Sequence, residues 1–96
     1  MKGYWIILGS DVVDPAAQKE YGLLWAPIGE QYNAKLKFLD SSVLVEAQSS
    51  NRVIAVEFPS YEQAKLCYND PAYIEAKKFA LRGSRRELII IEGDLA

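Results

Sequence analysis

Apolar residues fall along the chain in two alternating patterns: short continuous runs, and stretches spaced by three and four. Tyr4–Leu8, YWIIL, is aromatic and β-branched without interruption, which predicts a central strand over 3–10. After Asp14-Pro15, a cap followed by a proline at the first helical position, Ala17, Tyr21, Leu24, Trp25, Ile28 and Tyr32 recur at helical spacing. They predict a helix over 15–32, kinked at Pro27 and stopped by Asn33 in a left-handed conformation. Lys35–Asp40 alternates polar and apolar, and extended character resumes at Val43 after a bend at 40–42, giving a long second strand over 35–47. Val53–Val56 is again continuously apolar and predicts a third strand over 52–58, ended by Pro59. Ser60 with Gln63 forms a capping box for a helix over 60–69. Asp70-Pro71 starts another helix over 71–81, before Gly83. Glu87–Glu92, ELIIIE, predicts the last strand, 86–92.

The order is βαββαβ, with the second helical region in two pieces. This is the ferredoxin-like, α+β arrangement: a four-stranded antiparallel sheet with its helices on one face. Both faces of YWIIL and ELIII are apolar, yet helices cover only one. An open apolar sheet face predicts an interaction surface, and a second copy packed face to face would close it as a homodimer. The bent second strand is expected to reach toward that partner.

Ninety-six residues make a single domain, 1–96. A net charge of −2 and pI near 5.1 argue against nucleic-acid binding, because no basic surplus exists to neutralise phosphates. No apolar run approaches the roughly 20 residues of a membrane helix. The N-terminus lacks the long apolar core of a signal peptide, and the single cysteine, Cys67, cannot form an internal disulfide. A cytoplasmic location is expected.

Several local patterns together resemble one family. They are Tyr4-Trp5, Asp14-Pro15 before Tyr21, Gln31-Tyr32, Arg52, Glu57-Phe58-Pro59-Ser60, Ala64 with Tyr68, Pro71-Ala72-Tyr73, Arg82 and Glu92-Gly93. The set resembles the domain of unknown function 1330 family, within the dimeric α/β barrel superfamily. The family's glycine pair after the first helix is here Asn33-Ala34, and a glycine expected after Glu46 is Ala47. The resemblance implies a ferredoxin-like protomer and a barrel-like dimer, but no reaction. Relatives in the superfamily include cofactor-independent monooxygenases, lactone isomerases, haem enzymes and amino-acid-sensing domains.

The absence of histidine removes the usual general base, the histidine-assisted nucleophiles and a histidine-held metal or haem. No metal or cofactor is expected. Cys67, among apolar helix positions, reads as an inert core thiol. Trp25, Tyr68 and Tyr73 read either as core filling or as an aromatic pocket between helices and sheet. Arg82 is then either a helix-end charge or the anchor of an anionic ligand. Arg85 and Arg86 read as solvated. Glu57 interrupts an apolar strand, so it is either a salt-bridged carboxylate or a desolvated base. Three functions follow: a homodimer binding a small aromatic or anionic organic molecule; a cofactor-independent monooxygenase- or isomerase-like enzyme using tyrosines with Glu57 or Arg82; or a structural dimer without ligand.

Overall fold

The structure, a computed structural model, describes residues 1–93. Its elements are β1 (Gly3–Gly9), α1 (Pro15–Gln31), β2 (Lys35–Leu39), β3 (Arg52–Phe58), α2 (Tyr61–Asn69), α3 (Pro71–Gly83) and β4 (Arg86–Glu92). All strand pairs are antiparallel, in the order β2-β3-β1-β4. The fold is therefore the expected ferredoxin-like α+β sandwich.

Each helix starts where its cap dictates. Asp14 accepts from the Ala17 N–H, Ser60 from Gln63 and Asp70 from Ala72, so an early orphan donor is satisfied each time. Asp70 serves twice, ending α2 and beginning α3. α1 continues through Pro27 to Gln31. Asn33 then takes the left-handed conformation, φ 53°, that stops it.

The second strand departs from expectation. It ends at Leu39 rather than 47. Asp40 accepts from the Ser42 N–H and caps a single 3₁₀ turn, Ser41–Val43, and no strand is formed between it and Arg52. The local Asx turn wins because residues 41–50 have no neighbouring strand to pair with on this edge of the sheet.

Register assigns the faces. Trp5 stands between Val56 and Ile90, and Ile7 between Ile54 and Leu88. These residues face the helices and pack with Ile28, Ala64, Cys67, Tyr73 and Ala76. Trp5 is wholly buried and is the hub, with ring centroids of Tyr73 at 4.9 Å, Phe58 at 5.0 Å, Trp25 at 5.5 Å and Tyr68 at 5.7 Å. Its indole N–H donates to the Ala64 carbonyl at 3.0 Å, so the polar atom is also satisfied. Gly3 lets β1 pass close beneath α2: a Cβ there would lie 2.6 Å from both the Ser60 carbonyl oxygen and the Tyr61 Cα.

The other sheet face presents Ile6, Leu8, Ala55, Ile89 and Ile91, with Ile89 56% exposed. Glu57 lies on this face, where Lys2 bridges it at 3.2 Å and the Tyr4 hydroxyl donates to it.

Candidate functional site

α1 packs along α3 and stands off the β2 side of the sheet. The space beneath it is a cavity of about 150 Å³. Trp5, Ile7, Ile54 and Val56 form its floor, and Tyr21, Gly22 and Trp25 of α1 its roof. Leu36 and Phe38 of β2 line one side; Phe38 is 73% exposed, so the mouth opens at that edge. The far end is polar, with Arg52, Arg86 and Ser84.

Local structure holds these side chains in place. The Trp25 ring folds over the next turn of α1, where Gly29 leaves room; a Cβ at Gly29 would sit 3.2 Å from the ring. Gly22 thins the roof: a Cβ there would meet nothing within 4 Å. Arg52 donates through Nε to the Ser10 carbonyl at 2.8 Å and through Nη2 to the Ser84 hydroxyl at 3.0 Å. Arg86 donates to the Tyr73 hydroxyl and lies 5.3 Å from the centroid of the Tyr21 ring. The hydroxyls of Tyr21 and Tyr73 meet at 3.2 Å. Burial opposes the Arg86 charge, but the facing tyrosine oxygens outweigh it, so its pKa lies above the ordinary arginine value. Burial raises the Tyr73 pKa far out of the physiological range, the neighbouring Tyr21 adding to it. The result is a fixed cation held by tyrosine hydroxyls. Among the described residues, neither Arg52 nor Arg86 has a carboxylate in ion-pair contact, and no acid lines the cavity.

The expected site residues are only partly brought together. Trp25 lines the cavity. Tyr73 lies behind it, wholly buried, and its hydroxyl touches the cavity's lining through Arg86 and Tyr21. Tyr68 packs edge-on against Trp5 outside the cavity, under the Lys77 ammonium. Arg82 is exposed and stacks on Phe79, 4.6 Å from the ring centroid, because the last turn of α3 points it away from the sheet. The arginines at the cavity are instead Arg52 and Arg86, so the expectation that Arg86 is solvated fails. Hydrogen bonding from Lys2 holds the Glu57 carboxyl below its ordinary value, so its shift is opposite to that of a desolvated base. Burial pushes the Cys67 thiol up to about 12.

Strand periodicity carries a signal for both arginines. Side chains two apart share a sheet face, so Arg86 goes inward with Leu88 and Ile90, and Arg52 with Ile54 and Val56. Among the described residues, no group of acidic, cysteine or histidine side chains could hold a metal ion, and no helix is long and apolar enough to cross a membrane.

Solved structures share this fold at low identity. A protein of unknown function from Rhodopseudomonas palustris is 18% identical, with a TM-score of 0.73, and the match covers 99% of this chain and 84% of that one. SnoaB, a cofactor-independent oxygenase from Streptomyces nogalater, is 11% identical with a TM-score of 0.68, covering 99% and 95%. A dimeric ferredoxin-like protein of unknown function from Jannaschia sp. CCS1 is 8% identical with a TM-score of 0.65, covering 97% and 100%. None of the curated proteins matches the chain. The family model for a domain of unknown function (DUF1330) matches residues 2–94, and the chain belongs to that family.

Proposed function

We propose that this protein is a homodimer in which each protomer holds a small aromatic or anionic organic molecule between α1 and the sheet. The observation that carries the reading is the composition of the cavity wall. Aromatic rings line its body, two guanidinium groups close its end, and no acid balances them, in a chain whose net charge is −2. Such a pocket matches the common design of small-molecule sites: apolar walls with a few convergent polar groups. The open sheet face, with Ile6, Leu8, Ile89 and Ile91, supports the dimer, as does the description of the Jannaschia neighbour as dimeric.

The alternative is a cofactor-independent enzyme, the class named for SnoaB. It needs a proton acceptor at the cavity. Glu57 lies on the opposite sheet face and Arg82 outside the wall, so of the expected groups only tyrosine hydroxyls stand at the cavity. The binding reading is therefore preferred. Native mass spectrometry of freshly purified protein tests it. The expected spectrum shows a dimer carrying a small organic adduct that collisional activation releases. A monomer would refute the dimer. A bare dimer that takes up no small aromatic or anionic compound would leave a structural dimer without ligand.

A further inference from the structure

The register of the sheet places Arg52 and Arg86 directly beside Gly9, one on each neighbouring strand. Strands lie about 4.8 Å apart, so the two Cα atoms flank the glycine across roughly 10 Å. Both side chains emerge on the helix-facing side and line the cavity's end. Gly9 leaves the space between them empty of side chain; a Cβ there would lie 3.1 Å from Arg52 Nη2.

We propose that Arg52, Gly9 and Arg86 form a seat for one carboxylate, and that the cavity's ligand is an aromatic monocarboxylate with a single ring. This rests on the reading of the cavity as a binding site and names the class of molecule it takes. Each guanidinium carries five N–H donors in a planar fork that matches a carboxylate. Arg52 commits two, to Ser10 and Ser84, and Arg86 is engaged by the Tyr73 and Tyr21 hydroxyls. The remaining donors meet no carboxylate among the described residues. These anchors hold the forks in place before a ligand arrives, which lowers the entropy lost on binding. Beyond the seat the wall is Ile7, Ile54, Val56, Trp25 and Tyr21, which suits a ring and not a second charge. The volume sets the ring count: a cavity of about 150 Å³ is of the size that accepts benzene.

Calorimetric titration of the intact protein with benzoate, its neutral isostere benzamide, and inorganic phosphate tests this. Benzoate is expected to bind about 10- to 100-fold more tightly than benzamide, as for a charged hydrogen-bonded contact. Arg86→Met should erase that preference, benzoate losing about 10- to 100-fold more affinity than benzamide does. Gly9→Ala, which crowds Arg52 Nη2 without removing either charge, should reduce it. Arg52→Met should act as Arg86→Met does, and where loss of its Ser10 and Ser84 bonds prevents folding, Arg52→Lys keeps the charge without the fork and should retain only part of the preference. Equal affinity for benzoate and benzamide would overturn the seat and leave the cavity as a neutral aromatic site. A preference surviving both Arg86→Met and Gly9→Ala would also overturn it. Phosphate binding as tightly as benzoate would overturn the aromatic carboxylate class. Failure of both benzoate and benzamide to bind would refute the cavity reading itself, and the seat with it.

Discussion

Gly22 occupies the middle of a 17-residue helix, where glycine is a poor choice. Replacing glycine by alanine in a helix interior gains about 0.5–1 kcal/mol, chiefly because the unfolded chain loses conformational freedom. That gain is often cancelled when the new methyl group meets a neighbour. Here the added Cβ meets nothing within 4 Å, and Gly22 is exposed at the rim of the cavity's roof. Gly22→Ala is therefore expected to stabilise the protein by nearly the full amount. In a domain of this size that raises the midpoint by about 2–8 °C. Thermal unfolding followed by circular dichroism, at one fixed protein concentration so that the proposed dimerisation adds the same amount to both proteins, measures it. Gly22→Leu extends the comparison: its side chain should enter the cavity and abolish benzamide binding while the protein stays folded. A fall in midpoint for Gly22→Ala would refute the reasoning, because it would mean that α1 closes on the sheet at this point.

Four other outcomes follow from the packing. Gly3→Ala should destabilise by about 2–3 kcal/mol in urea titration, because its Cβ would meet backbone atoms of Ser60 and Tyr61 that cannot rotate away. Cys67, wholly buried with its thiol pushed up to about 12, should resist a thiol reagent at pH 8 until denaturant is added; fast stoichiometric labelling of the native protein would contradict its place in the core. The Tyr32–Asp70 hydrogen bond, 2.6 Å, holds the Asp70 carboxyl below its ordinary 3.8, with help from the Ala72 N–H, and lifts Tyr32 from 10.0 to about 12. Its stabilisation should be complete between about pH 5 and 9, lost as pH falls through the depressed Asp70 value and lost again as pH rises through 10 toward 12; Tyr32→Phe should flatten the pH profile of the unfolding midpoint at both ends. Ile89→Arg, on the open sheet face, should give a folded monomer by analytical ultracentrifugation, and an unchanged dimer would exclude that face as the interface.

Much of the fold was legible because local signals agreed with one another. Asp14-Pro15, Ser60 with Gln63, and Asp70-Pro71 each mark a helix start, and each capping side chain accepts a backbone N–H, although among the described residues the Gln63 side chain does not return the second bond of the expected capping box. Val43, Leu44 and Val45 have apolar side chains suited to a strand, but strand formation needs a partner that the sheet edge does not offer, so the expected continuation to 47 is absent. The site was less legible. Aromatic spacing alone cannot tell a cavity wall from core: Trp25 lines the cavity, while Tyr73 is core and half-buried Tyr68 packs against Trp5 outside it. Arg82 was chosen for its position at a helix end, where rotation about the axis decides whether it meets the sheet or solvent. Arg52 and Arg86 could have been found by counting back in twos from Val56 and Ile90. The glycine between them could not, because that juxtaposition depends on the register of three strands.

The central claim is that the space between α1 and the sheet takes a small organic ligand. Nuclear magnetic resonance titration with benzoate, following the Trp25 indole N–H, the Arg52 and Arg86 Nε–H groups and the methyl groups of Ile54 and Ile89, tests it most directly. Saturable shifts at Trp25, Arg52, Arg86 and Ile54, with Ile89 on the opposite face unmoved, are predicted. Shifts confined to Ile89 and its neighbours, or none at Trp25 and the two arginines, would contradict the account.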